Sequence, residues 1–162
     1  MAERVEHLAE GVTLYAGDCL DILPTLGRVD AVVTDLAAGV AGEHVVCADL
    51  LLAGYNAFLT DQNCPYDVAL EVDSRLVRVQ VKTTRRERAI PQREKHTPAY
   101  LFHTRRCGKG GRRAYNETDF DVLALVALDI RAIAYLRLSE TRQTIHLNRE
   151  KFLSLSDIRR AL

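Results

Sequence analysis

Asp67-Val68-Ala69-Leu70-Glu71-Val72, the turn-like Asp73-Ser74-Arg75, and Leu76-Val77-Arg78-Val79-Gln80-Val81-Lys82 decide how this chain folds. Side chains two apart on a strand share a face. Val77, Val79 and Val81 form one face of the second run, and Arg78, Gln80 and Lys82 the other. In the first run Val68, Leu70 and Val72 stand against Asp67, Ala69 and Glu71. Alternation on both runs around a turn predicts a β-hairpin. A two-residue turn at Asp73-Ser74 sets Asp67 opposite Gln80. A turn at Ser74-Arg75 sets Asp67 opposite Lys82 and Glu71 opposite Arg78. Both keep the polar set together, whereas a one-residue slip would bury it, so the hydrophobic pattern selects these registers.

Alternation alone describes any half-solvated hairpin, with Glu71 and Arg78 as an ordinary cross-strand pair. The Gln80-Val81-Lys82 triplet and the Cys64-Pro65-Tyr66 leading into Asp67 point further. A carboxylate, a carboxamide and an ammonium on one face can hold a divalent cation beside a lysine. Hydrolysis of a phosphodiester requires that combination.

Pro65, Asp67, Gln80 and Lys82 resemble the motif of the PD-(D/E)XK nuclease superfamily. Glu43, in Ala41-Gly42-Glu43-His44-Val45-Val46, resembles the helix that opens the family's core. Tyr115-Asn116-Glu117-Thr118-Asp119-Phe120-Asp121-Val122-Leu123-Ala124 is similar to the strand that follows the catalytic hairpin. Tyr66 intervenes between Pro65 and Asp67, and Gln80 stands where the family usually has Asp or Glu. This Q-x-K form is similar to that of intron-encoded homing endonucleases of bacteria.

The resemblance implies a restriction-endonuclease-like α/β fold, a mixed central sheet flanked by helices. It implies Glu43, Asp67, Gln80 and Lys82 as the catalytic set. Asp67, Gln80 and the backbone carbonyl of Val81 are the implied ligands of Mg²⁺, for which Mn²⁺ substitutes, with Glu43 joining directly or through water. Such a hard cation takes oxygen ligands. It polarises a phosphoryl oxygen and lowers the pKa of an attacking water. Lys82 then orients that water and offsets transition-state charge. As a plain sequence feature, Glu43 reads instead as a first-turn acid complementing the dipole of a helix over Ala38–Ala53. That helix carries Val45, Ala48 and Leu52 on one stripe and stops at Gly54.

The chain's net charge of zero hides an asymmetry. Residues 1–73 hold 13 acids and two bases, whereas residues 82–113 hold 11 bases and two acids. Arg85, Arg86, Arg88, Lys95, Arg105, Arg106, Lys109, Arg112 and Arg113 are the candidate DNA-binding set, because clustered cations bind phosphate backbones. Arg105–Arg113 reads as a flexible basic loop following a strand over Ala99–Thr104. Sparse aromatic interleaving favours a duplex over a single strand.

Residues 11–35 resemble a fragment of DNA adenine methyltransferases: a strand (Val12–Tyr15), a short helix (Cys19–Leu26) and a buried strand (Ala31–Thr34) leading to Asp35. Leu36-Ala37-Ala38 follows where that family has Pro-Pro-Tyr, so methyltransferase activity is not expected. The expected organisation is a β-α-β appendage over 1–36 and a nuclease domain over 37–162. Beyond the basic segment the pattern predicts strands over Phe120–Ala127, Ala132–Leu138 and Ile145–Leu147. A final helix over Arg149–Leu162 would be capped by Asn148.

At 48% hydrophobic and 27% charged residues, the chain has the composition of a soluble globular protein. No run is long and apolar enough to span a bilayer, and no signal-peptide core is evident. Four scattered cysteines without a C-x-x-C pair suit reduced thiols. The expected function is a metal-dependent endonuclease on double-stranded DNA, homing-type or phage-type, in the cytoplasm of a bacterial or phage-infected cell. Two strands must be cut, so a homodimer or higher homo-oligomer is expected. A type II restriction enzyme, a junction resolvase and a non-catalytic DNA-binding module are the alternatives.

Overall fold

The computed structural model describes residues 4–9, 12–16, 22, 25–26, 36–61, 64–90, 97–108 and 111–162. The chain divides into two compact units, Met1–Thr34 and Asp35–Leu162. In the first, β1 (Arg4–Ala9) pairs antiparallel with β2 (Val12–Ala16), with an irregularity between His7 and Ala9. The expected strand at Val12 is present, and its partner β1 was not anticipated. The expected helix over Cys19–Leu26 lies largely, and the strand over Ala31–Thr34 wholly, outside the described residues.

The second unit opens with α1 (Leu36–Leu52), β3 (Asn56–Leu59), β4 (Val68–Val72) and β5 (Arg75–Thr84). It continues through β6 (Tyr100–His103), β7 (Arg105–Gly108), β8 (Gly111–Ala114), β9 (Val122–Ala127) and β10 (Ala132–Arg137). It closes with β11 (Thr144–Leu147) and α2 (Arg149–Ser154). The central sheet is mixed and five-stranded, in the order β10-β9-β5-β4-β3. Only the central β5–β9 pair is parallel. This is the expected α/β architecture.

β9 is buried at every residue because both sheet faces are covered. On one face Val68, Leu70, Val77, Val79, Val81, Val122 and Ala124 pack under Val46 and Leu50 of α1. On the other, Leu123, Leu125, Ala134 and Leu136 pack beneath Tyr100 and Phe102 of β6, Leu147 of β11 and Phe152 of α2. The Phe152 ring meets Tyr100 edge-on at 5.3 Å. Burial of this kind contributes about 25 cal/mol per Å² of apolar surface, so the site-bearing β5 is held from both sides.

Asp73 and Ser74 both adopt left-handed backbone, at φ 49° and 62°. Two such residues make the tight hairpin turn that matches strand twist. Val72 therefore faces Arg75, Glu71 faces Leu76 and Val68 faces Val79. The Asp73-Ser74 register is the one adopted.

Three expectations are corrected. The buried stripe of α1 is Val46 and Leu50 rather than Val45, Ala48 and Leu52, and Leu52 is 89% exposed. Gly42 explains the rotation. A Cβ there would collide with Thr83 Oγ1, so glycine lets α1 lie hard against β5 on the 42–46–50 row. Gly54 does end the helix, at φ +89°. The basic loop is a β-hairpin, with Arg106 opposite Arg113 and Cys107 opposite Arg112. The final helix breaks after six residues. Leu155 leaves the helix and its carbonyl accepts from Tyr135 N–H at 2.8 Å, and a short 3₁₀ turn, Ile158–Arg160, follows on an Asp157 cap. Ser154, Ser156 and Asp157 bond locally instead of propagating the helix. Asn148 caps α2 as expected, accepting from Lys151 N–H at 2.9 Å.

Two outcomes follow from these contacts. Gly42→Ala is expected to lose roughly 1–2 kcal/mol in urea denaturation despite alanine's better helix propensity, because it overpacks the α1–β5 contact. Adding Thr83→Ala should recover most of that loss, and no recovery would place its origin elsewhere. Ser74→Gly should raise stability by about 0.5–1 kcal/mol, since glycine takes the left-handed turn without strain.

Candidate metal and phosphodiester site

Asp67 sits in the bend that enters β4. Its N–H donates to Val79 O at 3.0 Å and its carbonyl accepts from Thr60 N–H at 3.0 Å. The backbone is thus held from both neighbouring strands, which aims the side chain. Asp67 Oδ2 accepts from Val81 N–H at 2.7 Å and from the Gln80 side-chain amide. Gln80 is 7% exposed, and its Nε2 also reaches Val81 O at 3.4 Å. Along β5, Gln80 aligns with Leu123 of β9 and Lys82 with Leu125, which sets both against the second core.

Glu43 lies mid-helix and half-buried, and the first turn of α1 holds no acid, so it does not serve as a dipole complement. Burial raises its carboxyl pKa above the ordinary value; the Asp67 charge adds to this, while His44 and Lys82 pull it down. Burial likewise raises Asp67, opposed by the Val81 N–H and the Lys82 charge. Glu43, Asp67 and Lys82 therefore share one electrostatic neighbourhood. Lys82 Nζ stands 5.8 Å from the centroid of the Tyr115 ring.

The donor set suits a hard cation: an Asp67 carboxylate, the Val81 carbonyl, the Gln80 amide and a nearby Glu43. The protein brings two carboxylates rather than three. Among the described residues no group of three His, Cys, Asp or Glu is placed to hold a metal. Gln80 turns its nitrogen toward Asp67, so its oxygen would reach a cation there only after a half-turn of the amide.

The basic residues fall into distinct environments. Arg85, Arg86 and Arg88 are exposed beyond β5, and Arg88 bridges to Ala99 through its backbone. Arg105 is exposed and bonds to Gln143. Arg106 and Arg112 stand on opposite strands of the β7–β8 hairpin. Arg113 turns its fork to the buried Asp119, with both N–H···O distances 2.6 Å. Lys95 and Lys109 lie outside the described residues.

Three features were not anticipated from sequence. The Glu71–Arg78 pair is replaced. Glu71 accepts from Asn56, while Arg78 clasps Asp121 at 2.9 and 3.0 Å and donates to the carbonyls of Glu117 and Thr118. This clamp ties β5 to the turn before β9, and it draws the Asp121 carboxyl below its ordinary pKa. Its partners are 43 residues apart, so no local pattern reveals it. The Tyr115 ring beside Lys82 is the second, a contact across 33 residues that no local pattern reveals. Gly42 was legible only as a glycine inside a helical pattern, the usual mark of close packing.

A sequence model of the PD-(D/E)XK endonuclease family matches residues 35–152. No functionally curated protein matches the chain significantly. Among solved structures, the bacterial homing endonuclease I-Ssp6803I superposes with a TM-score of 0.57 at 18% identity, covering 72% of this chain and 79% of that one. That likeness is one of fold. With the family match spanning α1, the β4–β5 hairpin, β9 and β10, the chain belongs to the PD-(D/E)XK endonuclease family.

Proposed function

We propose that this endonuclease cuts double-stranded DNA in a divalent-metal-dependent manner, with Glu43, Asp67, Gln80 and Lys82 as its catalytic set. The observation that carries the reading is Asp67 Oδ2 held against Val81 N–H and the Gln80 amide, with Lys82 next on the same strand face. Asp67, the Gln80 oxygen and the Val81 carbonyl would hold Mg²⁺ or Mn²⁺, with Glu43 completing the set. The cation supplies polarisation of a phosphoryl oxygen and a lowered pKa for a bound water. Asp67, pinned through its backbone, presents its carboxylate without reorganisation. Lys82 brings a compact positive charge to the developing charge of the transition state.

Arg85, Arg86, Arg88, Lys95, Arg105, Arg106, Lys109 and Arg112 supply the phosphate-binding surface in this reading, and a two-stranded ribbon such as β7–β8 fits a major groove. Arg113 joins them only with the face of its guanidinium that Asp119 leaves exposed. A homing-type or phage-type enzyme, acting as a homo-oligomer inside a bacterial or phage-infected cell, accords with the Q-x-K form. One observation favours a second reading, a DNA-binding module without hydrolysis: the amide nitrogen of Gln80, rather than its oxygen, faces Asp67.

Plasmid cleavage with Mg²⁺ against an EDTA control separates the two readings. Cutting is expected in Mg²⁺, with losses of at least 100-fold in Lys82→Ala and Asp67→Ala. Wild-type rates in either variant would remove these roles. Gln80→Glu sets a second carboxylate beside Asp67. It should lower the Mg²⁺ concentration at half-maximal cleavage and lower thermal stability in EDTA.

The pH dependence has a definite sign. The native pKa of Asp67 lies above its unfolded value, so ionising it costs stability. That cost is fully present above the native pKa and absent below about pH 4, the unfolded value. In EDTA, Asp67→Asn should therefore melt above the wild type at pH 8, with the gap closing as pH falls toward 4. A gap that widens on acidification would contradict the buried-carboxylate assignment.

A further inference from the structure

We infer that Tyr115 is a positioning residue for Lys82, an inference that rests on the endonuclease reading above. The Lys82 ammonium lies 5.8 Å from the Tyr115 ring centroid, within the range at which a ring face attracts a cation. A lysine side chain has four rotatable methylenes, and freezing it costs entropy. An aromatic platform restricts that freedom without a hydrogen bond, so all three ammonium donors remain for water and phosphate.

The platform is itself held. Tyr115 is half-buried, and its ring meets Phe120 at 4.9 Å with a 65° interplanar angle. Phe120 is fully buried beneath the sheet. On either side of the ring the backbone is fixed by Asp119, which accepts from the Arg113 fork and from Asn116 N–H at 3.0 Å. Asn116 in turn accepts from Thr118 N–H at 3.1 Å. Arg113 through Phe120 thus forms a closed turn whose one half-exposed ring underlies the catalytic lysine. Because β8 ends at Ala114, the same turn roots the basic hairpin, and the ring sits where the DNA-facing ribbon meets the site.

Tyr115→Leu and Tyr115→Phe test the inference. Tyr115→Leu should slow single-turnover cleavage in saturating Mg²⁺ by about 3- to 30-fold, with Tyr115→Phe within about twofold of wild type, since the ring face rather than the hydroxyl acts. DNA affinity, read by fluorescence anisotropy in Ca²⁺, should not change in either. Independently of cleavage, the Lys82 ε-methylene proton resonance, assigned with Lys82→Arg, should lie upfield in wild type and Tyr115→Phe and return to its ordinary position in Tyr115→Leu. Full-rate cleavage by Tyr115→Leu, an equal loss in Tyr115→Phe, or a loss confined to DNA affinity would overturn the inference. A wild type that fails to cut DNA refutes the endonuclease reading instead, and the resonance then decides the Lys82–Tyr115 contact alone.

Discussion

The hydrogen bond from Val81 N–H to Asp67 Oδ2 is the constraint on which the site depends. It joins the residue just before β4 to the interior of β5, in the register set by the Asp73-Ser74 turn. A slip by one residue would set Gln80 and Lys82 beneath Val46 and Leu50 of α1 in place of Val79 and Val81. The apolar burial under α1 therefore enforces the same alignment that brings the carboxylate, the carboxamide and the ammonium together. Packing and the proposed chemistry are not separate requirements here, since the valines that stabilise β5 are interleaved with Gln80 and Lys82.

Two further contacts carry that alignment outward. Gly42 lets α1 approach Thr83 closely enough for Glu43, the next residue, to feel the charges of Asp67 and Lys82. Thr83 Oγ1 is buried without a hydrogen-bond partner among the described residues, which marks how tightly this seam is closed. Arg78, two residues before Gln80, anchors the strand to the Glu117–Asp121 turn through four carbonyl or carboxylate contacts. β5 is thus held by a helix on one face and an arginine clamp on the other.

The hairpin and its turn were legible because each is local and carries a period of two; the same alternation singled out Asp67, Gln80 and Lys82 for the proposed site, whereas Glu43 on α1 entered only through the family resemblance. The mixed sheet followed from strand order and the family resemblance. Side-chain pairing across long separations was not legible. Arg78 reads as a hairpin cross-strand partner until the chain returns 43 residues later with Asp121. Arg113 reads as one cation among many until Asp119 folds beneath it. The rotation of α1 was misread because its sequence is apolar nearly all round, and only the glycine at 42 distinguishes the face that packs. The break in the last helix came from tertiary demand, since Leu155 gives its carbonyl to Tyr135 on β10.

Glutamine at position 80 has a physical rationale within this frame. Glu43 and Asp67 are already raised above their ordinary pKa by burial, and Glu43 further by the charge of Asp67. A third carboxylate at a position only 7% exposed would face the same desolvation and a like charge within hydrogen-bond reach. The amide removes that repulsion. Through its nitrogen it donates to Asp67, and through its oxygen it would offer a ligand to the proposed cation. Such a site would carry less like-charge repulsion without metal, and would hold the proposed cation with less protein charge than an acid at that position would provide. More of the positive charge of a cation held there would then remain for a phosphate of the substrate. In the proposed function, the buried carboxyls of Asp67 and Glu43 would therefore favour a site completed by its substrate rather than by metal alone.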